Sequence, residues 1–375
     1  MSNQKGIISL EEFFKEKYHY QYTSRENLAS APFIEYENFG ATAVCWIKDG
    51  EDKYLFKDVN DQNYTWLGEL LSYEIAKVLD IPCAEYKLAT LEGNLCILSK
   101  NFVKEDETLL LGAQIVQEVL NKYPYLKEKS IFDDQTFLEI YNVPREILTL
   151  NFENRLKYLH NNLNNLEELW SILSIYYDIH DIPKDSLKDI MDRMMKMFFF
   201  DLLTFQADRH ITNWGILAEG KDKLLGLKPS NLFDQAASFG FASEDLDRRI
   251  DNFYRNLESY QRVGHEKSKN QFISSLYKDR MLFTPSEDAI INAKSRRRKN
   301  NLEILDYFLF ISSTDDINIL LNYIEKLEQV GIQNILDSIL KKYDVKIDPK
   351  IYQFVCDSSA WNLYFLKENI YQKRR

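Results

Sequence analysis

The stretch QADRHITNWGIL, from Gln206 to Leu217, follows a run of helical pattern and ends in apolar residues that are typical of a short strand. It carries an acid at Asp208 and an amide at Asn213, five positions apart. A carboxylate can accept a proton in catalysis, and carboxylate and amide oxygens are ligands for hard cations such as Mg²⁺. The stretch is therefore a candidate site whose partners must come from elsewhere in the chain.

Charged residues elsewhere supply what phosphoryl transfer needs besides a base, namely a second metal-binding acid and a cation for the phosphates. Asp234 lies in LFDQAASFGF, and Lys57 ends the β-prone run KYLFK. An acid on the next helix would orient the lysine, and both Glu69 and Glu74 are candidates. Each feature alone also fits a structural role, as a turn aspartate, an edge-strand lysine or a helix N-terminal charge. Together and in this order, they indicate phosphoryl transfer.

The chain divides into a β-rich part and a helical part. Residues 33–100 are typical of strand, strand, helix, strand, strand, with the helix from Trp66 to Leu79 ended by Asp80-Ile81-Pro82. Short extended segments are expected between His210 and Phe241. We expect an α+β fold with a small β-rich lobe in residues 1–103 and a large, mainly helical lobe in residues 104–375. The predicted helices of the second lobe lie near 108–122, 134–141, 148–177, 186–206, 286–310, 315–328 and 332–343, with more towards the C-terminus.

Composition excludes several classes of protein. The 375 residues are 45% hydrophobic, which predicts a folded core, and the net charge of −11 argues against general binding of nucleic acid. The basic run KSRRRK, residues 294–299, is interpreted as a solvated segment in preference to a docking site for an acidic partner or phosphate. The four cysteines lack zinc-finger spacing and fit a reducing cytoplasm. No signal peptide and no membrane-spanning stretch is expected.

Two pairs of segments resemble a known family. ADRHITNWGIL with LFDQAASF resembles the atypical kinases of the HipA type, and more distantly the phosphatidylinositol kinases, whose catalytic loops carry Asp-x-His-x-x-Asn. GELLSYEIAKVLDIPCAEYKLA with CILSKNF resembles the HipA-type small lobe, where a Glu begins a helix that ends in Ile-Pro before the next strand. The resemblance covers blocks between residues 33 and 241. It implies a protein-kinase-like two-lobed fold and selects Glu69 over Glu74.

The resemblance also implies ATP and Mg²⁺ as cofactors and assigns roles to residues. Asp208 would be the catalytic aspartate, which accepts the proton of the acceptor hydroxyl. Lys57 would be the phosphate-binding lysine, and Asn213 and Asp234 would be the magnesium ligands. His210 would brace the loop, and Arg209 would contact either a phosphate or an internal acid. The interlobe hinge would touch the adenine through Leu98, Ser99 and Asn101.

The chain departs from the family in two places. It has no G-x-G-x-x-G motif, so the phosphate-covering loop would have to be ENFGAT, with Gly40, Ala41 and Thr42 beside the phosphates. HipA toxins also carry a further N-terminal subdomain. We expect that subdomain to be missing or reduced, because only some thirty residues precede the first predicted strand. An antitoxin-like partner therefore stays an option that the sequence does not require.

The leading hypothesis is a cytoplasmic kinase that transfers the γ-phosphoryl group of ATP to a Ser or Thr hydroxyl of a protein or of itself. A kinase of lipids or small molecules uses the same chemistry and is the alternative, although lipid kinases usually add basic surface. A nucleotide-binding interaction module without turnover is an alternative of another class. A nucleic-acid effector that uses KSRRRK is disfavoured by the overall charge.

Overall fold

The computed structural model of the chain describes a set of ranges that together contain two small sheets and a series of helices. None of the helices in these ranges is long and apolar enough to cross a lipid bilayer. The described residues are 8–9, 44–49, 52–58, 64–91, 94–116, 118–119, 166–209, 211–220, 226–241, 243, 245–277, 302, 305, 309 and 314–374.

The first sheet holds the predicted lysine. Its strands are β1 (Ile8–Ser9), β2 (Val44–Asp49), β3 (Asp52–Asp58), β4 (Tyr86–Leu91) and β5 (Asn94–Lys100), in the order β1-β4-β5-β3-β2. All neighbours are antiparallel except β1 and β4. Because Lys57 pairs with Val44 on one side and Ile97 on the other, it lies in an interior strand of the described sheet. An edge-strand role for this lysine is therefore excluded.

The first strand begins earlier than the sequence predicted. The expectation that some thirty residues precede it is wrong, because Ile8 and Ser9 form β1 and pair with Ala89 and Thr90 of β4. A strand of two residues is too short to show an alternating pattern, so periodicity could not reveal it. It forms because the outer edge of β4 offers backbone partners.

Helix α1 (Thr65–Leu79) presents the acid that faces the sheet. Its apolar residues are buried at helical spacing, including Leu67, Leu71 and Ile75, which are fully buried. The helix ends at Asp80, which adopts a left-handed conformation with φ 57°, and its N–H donates to the carbonyls of Ala76 and Lys77. The predicted helix and its stop signal are therefore confirmed.

The second sheet contains the strand that follows the Asp208 loop. It consists of β6 (Glu107–Leu111), β7 (Gly215–Glu219) and β8 (Gly226–Pro229), all antiparallel. The strand predicted for NWGIL is thus present. The prediction of a helix from residue 108 is wrong over 108–111, where the chain pairs with β7 instead. A short apolar run fits either structure, and the partner that decides it lies a hundred residues away.

Most of the remaining described residues are helical, and their helices contribute much of the large core. Phe198, Phe199 and Phe200 are fully buried, as expected for core packing. The helices are residues 112–116 and 118–119, α2 (Leu166–Ile179), α3 (Leu187–Thr204), α4 (Leu246–Val263), α5 (Glu266–Leu276), α6 (Thr314–Val330), α7 (Ile332–Tyr343) and α8 (Pro349–Arg374). The predicted helix at 134–141, and most of those at 148–177 and 286–310, lie outside the described residues.

Helices α4 and α5 were not predicted from the sequence. The signals for α4 were nevertheless present. Asp245 caps its N-terminus by accepting a bond of 2.9 Å from the Arg248 N–H, and Gly264 ends it with φ 64°. The helix is rich in charged residues, so its apolar stripe is narrow and easily overlooked.

Backbone bonds connect the β-rich part to the segment that carries Asp234. The Ala84 N–H donates to the Leu232 carbonyl at 2.7 Å, and the Leu232 N–H donates to the Pro82 carbonyl at 2.8 Å. Cys83 and Leu232 form an isolated parallel bridge between these bonds. The segment between α1 and β4 therefore fixes the position of the chain just before Asp234. A division of the chain at residue 103 stays a prediction.

Candidate active site

Lys57, Glu69 and Asp234 meet at one point, although they come from β3, α1 and the segment after β8. The Lys57 Nζ lies 2.8 Å from Glu69 Oε1 and 2.9 Å from Asp234 Oδ1. Glu69 is almost fully buried, while the Asp234 side chain keeps 38% of its exposure. Burial alone would lower the pKa of Lys57, but the two carboxylates outweigh it and raise the pKa, so the ammonium stays charged. The arrangement presents one fixed positive charge to a partly open site.

Glu69, and not Glu74, is the helix acid that faces the lysine. Its second oxygen, Oε2, accepts a bond of 2.8 Å from the backbone N–H of Gln235. Glu74 instead pairs with Lys77 on the exposed side of α1. One carboxylate therefore joins the lysine to the backbone next to Asp234.

Gly68 lets α1 approach the Asp234 segment closely. A Cβ at this position would lie 2.9 Å from the Ala236 carbonyl oxygen and 3.2 Å from that of Gln235. No larger residue fits here without a shift of the helix or of the segment. The start of α1 is thereby held against the chain that follows Asp234.

The Asp208 loop is organised by the buried amide of Gln206. The Asp208 N–H donates to Gln206 Oε1 at 3.1 Å, and Gln206 Nε2 donates to the Asp234 carbonyl at 2.9 Å. Asn213 Nδ2 donates to the Asp208 carbonyl at 2.7 Å, which fixes the amide plane. Asp208 itself is exposed, as an acid that must reach an incoming group would be. Gln206 thus ties the loop to the backbone of Asp234.

Asp234 is held in a left-handed backbone conformation with φ 56°, which is uncommon for a residue other than glycine. Its N–H donates to the Tyr86 hydroxyl oxygen at 3.0 Å. Burial, followed by the charge of Glu69, raises the pKa of Tyr86 well above its usual value, so the phenol stays protonated. These contacts offset the backbone strain and fix the direction of the carboxylate.

Arg209 contacts an internal acid, which resolves the two roles left open for it. Its Nε and Nη2 donate to the two oxygens of Asp201 at 2.9 and 2.8 Å, and both side chains are buried. Burial opposes the charge of Arg209, but the Asp201 carboxylate outweighs it and raises the pKa of the guanidinium. A phosphate contact by this residue is therefore excluded.

Of the three predicted hinge residues, two lie in strand β5 and one follows it. Leu98 and Ser99 are buried in β5 and pair with strands on both sides. Asn101 follows the strand, and its side chain bonds the Val103 N–H and carbonyl. Phe102 stacks on Phe233, with 6.0 Å between ring centroids, so this segment reaches the residue before Asp234. Three residues of the predicted phosphate loop and the bracing histidine lie outside the described residues: Gly40, Ala41, Thr42 and His210.

The residues present fit a magnesium ion that is held jointly with phosphates. In the described ranges, no group of three or more His, Cys, Asp or Glu side chains could hold a metal alone. Mg²⁺ in phosphate-binding sites needs only one or two protein oxygens besides phosphates and waters. The Asp234 carboxylate and the Asn213 amide oxygen, whose Nδ2 is turned to Asp208, meet this need. With Lys57 and Asp208, the site can bind a polyanion, hold a divalent cation and accept a proton.

Comparison with known proteins shows the fold. No family model and no curated protein matches the sequence. Among solved structures, the chain is similar to the proinflammatory kinase CtkA of Helicobacter pylori, with a TM-score of 0.55 and 14% identity over 88% of this chain and 95% of that chain. It is also similar to HipA in the toxin–antitoxin complex of Shewanella oneidensis MR-1 with HipB and operator DNA, with a TM-score of 0.45 and 11% identity over 94% and 72% of the chains. The likeness to CtkA confirms the expected α+β, kinase-like fold.

Proposed function

We propose that the chain is an ATP-dependent kinase that transfers the γ-phosphoryl group of ATP to a Ser or Thr hydroxyl of a protein, with its own hydroxyls among the candidate acceptors. The observation that carries the proposal is the contact of Lys57 with both Glu69 and Asp234. Lys57, Glu69 and Asp234 come from distant positions and meet in a kinase-like fold, and Gln206 ties the Asp208 loop to the Asp234 backbone. A purely structural charge cluster would not need the exposed Asp208 beside it.

Each side chain has a defined task in this proposal. Lys57 binds the phosphates of the nucleotide, and Glu69 holds its amine in place. Asp208 orients the acceptor hydroxyl and accepts its proton as the new O–P bond forms, while the bond from the γ-phosphorus to the bridging oxygen breaks and ADP leaves. Asn213 and Asp234 would hold Mg²⁺, which supplies charge neutralisation on the phosphates when it is bound. Tyr86 and Gln206 keep Asp234 pointed at the metal position.

The nucleotide would lie between a lobe of residues 1–103 and a lobe of residues 104–375. The adenine would contact the segment at Leu98 to Asn101, and the phosphates would be covered by Gly40, Ala41 and Thr42. His210 would brace the loop of Asp208. The proposal places the enzyme in the cytoplasm, without direct binding of nucleic acid or membrane, and leaves an antitoxin-like partner as an option.

The proposal is tested by mass spectrometry after incubation with ATP and Mg²⁺, alone and with a mixture of protein acceptors. We expect phosphate on Ser or Thr residues in the wild type and a strong loss of it in Asp208→Asn. Asp251→Asn is a matched control, because Asp251 is an exposed aspartate on α4 that pairs with Lys350. Phosphorylated lipid or small molecule without phosphorylated protein would favour the alternative kinase class. Bound but intact ATP across all acceptors would favour a nucleotide-binding module without turnover.

A further inference from the structure

Arg209 bonds the backbone of two other segments in addition to its buried ion pair with Asp201. The guanidinium uses Nε and Nη2 for Asp201, and its remaining nitrogen, Nη1, donates to two backbone carbonyls. These belong to Asn213, at 2.5 Å, and to Phe233, at 3.0 Å. One planar group therefore connects two segments of the chain that are not adjacent in sequence.

Both carbonyls lie at the proposed metal ligands. Asn213 is itself one ligand, and Phe233 immediately precedes the other, Asp234. The separation of the two ligand-bearing backbones is thus set by one nitrogen, Nη1, which holds both carbonyls within hydrogen-bond distance. Asp201, which lies at the C-terminal end of α3, fixes that guanidinium with two charge-assisted bonds.

Stability alone does not account for this pair. Burying two charges costs free energy that their attraction roughly repays, so an apolar pair of similar volume is often at least as stable. An arginine is needed where a planar fork must satisfy several acceptors in fixed directions, which a lysine ammonium cannot do. The geometry of the bonds fits a positioning role better than a stabilising one.

We propose that Arg209, held by Asp201, is a positioning residue that sets the spacing of Asn213 and Asp234 for a divalent cation, an inference that rests on the proposed function. Gln206 connects the same two segments from another side, through the Asp208 N–H and the Asp234 carbonyl. Loss of the guanidinium fork therefore loosens the site without dismantling it. Substituting such supporting residues typically weakens metal affinity by roughly 10–100-fold.

The test uses the full chain with Arg209→Lys and Asp201→Asn. Manganese is titrated calorimetrically in the presence of a non-hydrolysable ATP analogue, nucleotide binding is measured without metal, and thermal unfolding reports the fold. Arg249→Lys is the matched control, because Arg249 is an equally buried arginine, on α4, that packs over Phe354. We expect manganese affinity to fall by roughly 10–100-fold in the two test variants. Metal-free nucleotide binding should be unchanged, and the control should match the wild type.

Several outcomes would overturn the inference. A folded Arg209→Lys protein with wild-type manganese affinity would show that the fork does not set the ligand spacing. Loss of the folded state in both test variants would make the pair a determinant of the fold instead. An equal loss of affinity in Arg249→Lys would show a general effect of replacing a buried arginine. Absence of metal-dependent nucleotide binding in the wild type would instead contradict the proposed function, and the inference with it.

Discussion

Replacing Lys57 by methionine should destabilise the fold, because it leaves two carboxylates facing each other without the amine that joins them. The amine lies 2.8 and 2.9 Å from the oxygens of Glu69 and Asp234. These oxygens are therefore at most about 6 Å apart, and at an effective dielectric constant of about 20 they repel each other by about 3 kcal/mol. Because Asp234 is partly exposed, solvent screens some of this repulsion. We expect a loss of about 2 kcal/mol, below the roughly 3–5 kcal/mol seen when a fully buried pair is broken.

Equilibrium urea unfolding measures this loss, and the chain offers a control of the same kind. Lys350 also bridges two carboxylates, those of Asp247 and Asp251, but on the surface. Lys350→Met should therefore change the stability much less, because exposed ion pairs contribute little. Adding Glu69→Gln to Lys57→Met should recover part of the loss, since the amide does not repel Asp234.

Two results would refute this reasoning. One is a loss of unfolding free energy in Lys57→Met that is no larger than the loss in Lys350→Met. The other is a double variant no more stable than Lys57→Met, because the repulsion would then not be the cause. Lys57→Arg separates stability from activity: it restores the charge and should recover stability, but transfer should stay low because a planar fork does not replace a compact ammonium.

Three further predictions concern the same site. Gly68→Ala should lower the stability and the transfer rate, because the added Cβ clashes with backbone; the clash costs about 1–3 kcal/mol, and the gain in helix propensity offsets about 1 kcal/mol of it. Gly226→Ala is the control: its Cβ would meet nothing nearer than 3.5 Å, so neither unfolding nor transfer assays should show a change. Tyr86→Phe removes the acceptor of the partly buried Asp234 N–H and should lower the free energy of unfolding by about 1–3 kcal/mol; an unchanged urea midpoint would count against that bond. Because folding raises the pKa of Lys57, the stability that its charge contributes should be complete below about pH 10.4 and should decline as pH rises through the pKa of the folded state. The difference in stability between the wild type and Lys57→Met should therefore narrow only in strong alkali, which a pH series of unfolding midpoints can check.

Sequence reasoning worked best where local spacing carries the information. The interval between Asp208 and Asn213, the helix that starts near Glu69 and the strand that ends near Lys57 are all visible in short windows. The structure brings Lys57, Glu69 and Asp234 into contact, as the combined pattern indicates. The catalytic and binding roles of these residues stay predictions.

Residues that act between distant segments could not be found in this way. Tyr86 and Gln206 bond the backbone at Asp234, yet each is an ordinary polar residue in its own window. Asp201 is different, because an acid inside the apolar run FFFDLL must be paired if the run is buried. That signal could have identified the partner of Arg209.

Local pattern also misjudged elements whose conformation depends on a partner. Residues 108–111 are apolar and compatible with a helix, but β7 supplies strand partners for them. Strand β1 exists only because β4 has an edge available. The missed helix α4 had recognisable caps at Asp245 and Gly264, so attention to end signals would have revealed it.

Two assays on Asp208→Asn and Asp234→Asn test most directly whether Asp208 is the base and Asp234 the metal ligand. One is calorimetric titration of ATP with and without Mg²⁺, and the other is a transfer assay. Asp208→Asn removes the base and should reduce transfer by about 100-fold or more, while Mg²⁺-dependent binding of ATP stays near that of the wild type. Asp234→Asn should lose both transfer and the Mg²⁺-dependent part of binding, because an amide is a weaker ligand than a carboxylate. Loss of Mg²⁺-dependent binding in Asp208→Asn with its retention in Asp234→Asn would reverse the roles, and unchanged transfer in both variants would contradict the kinase function itself.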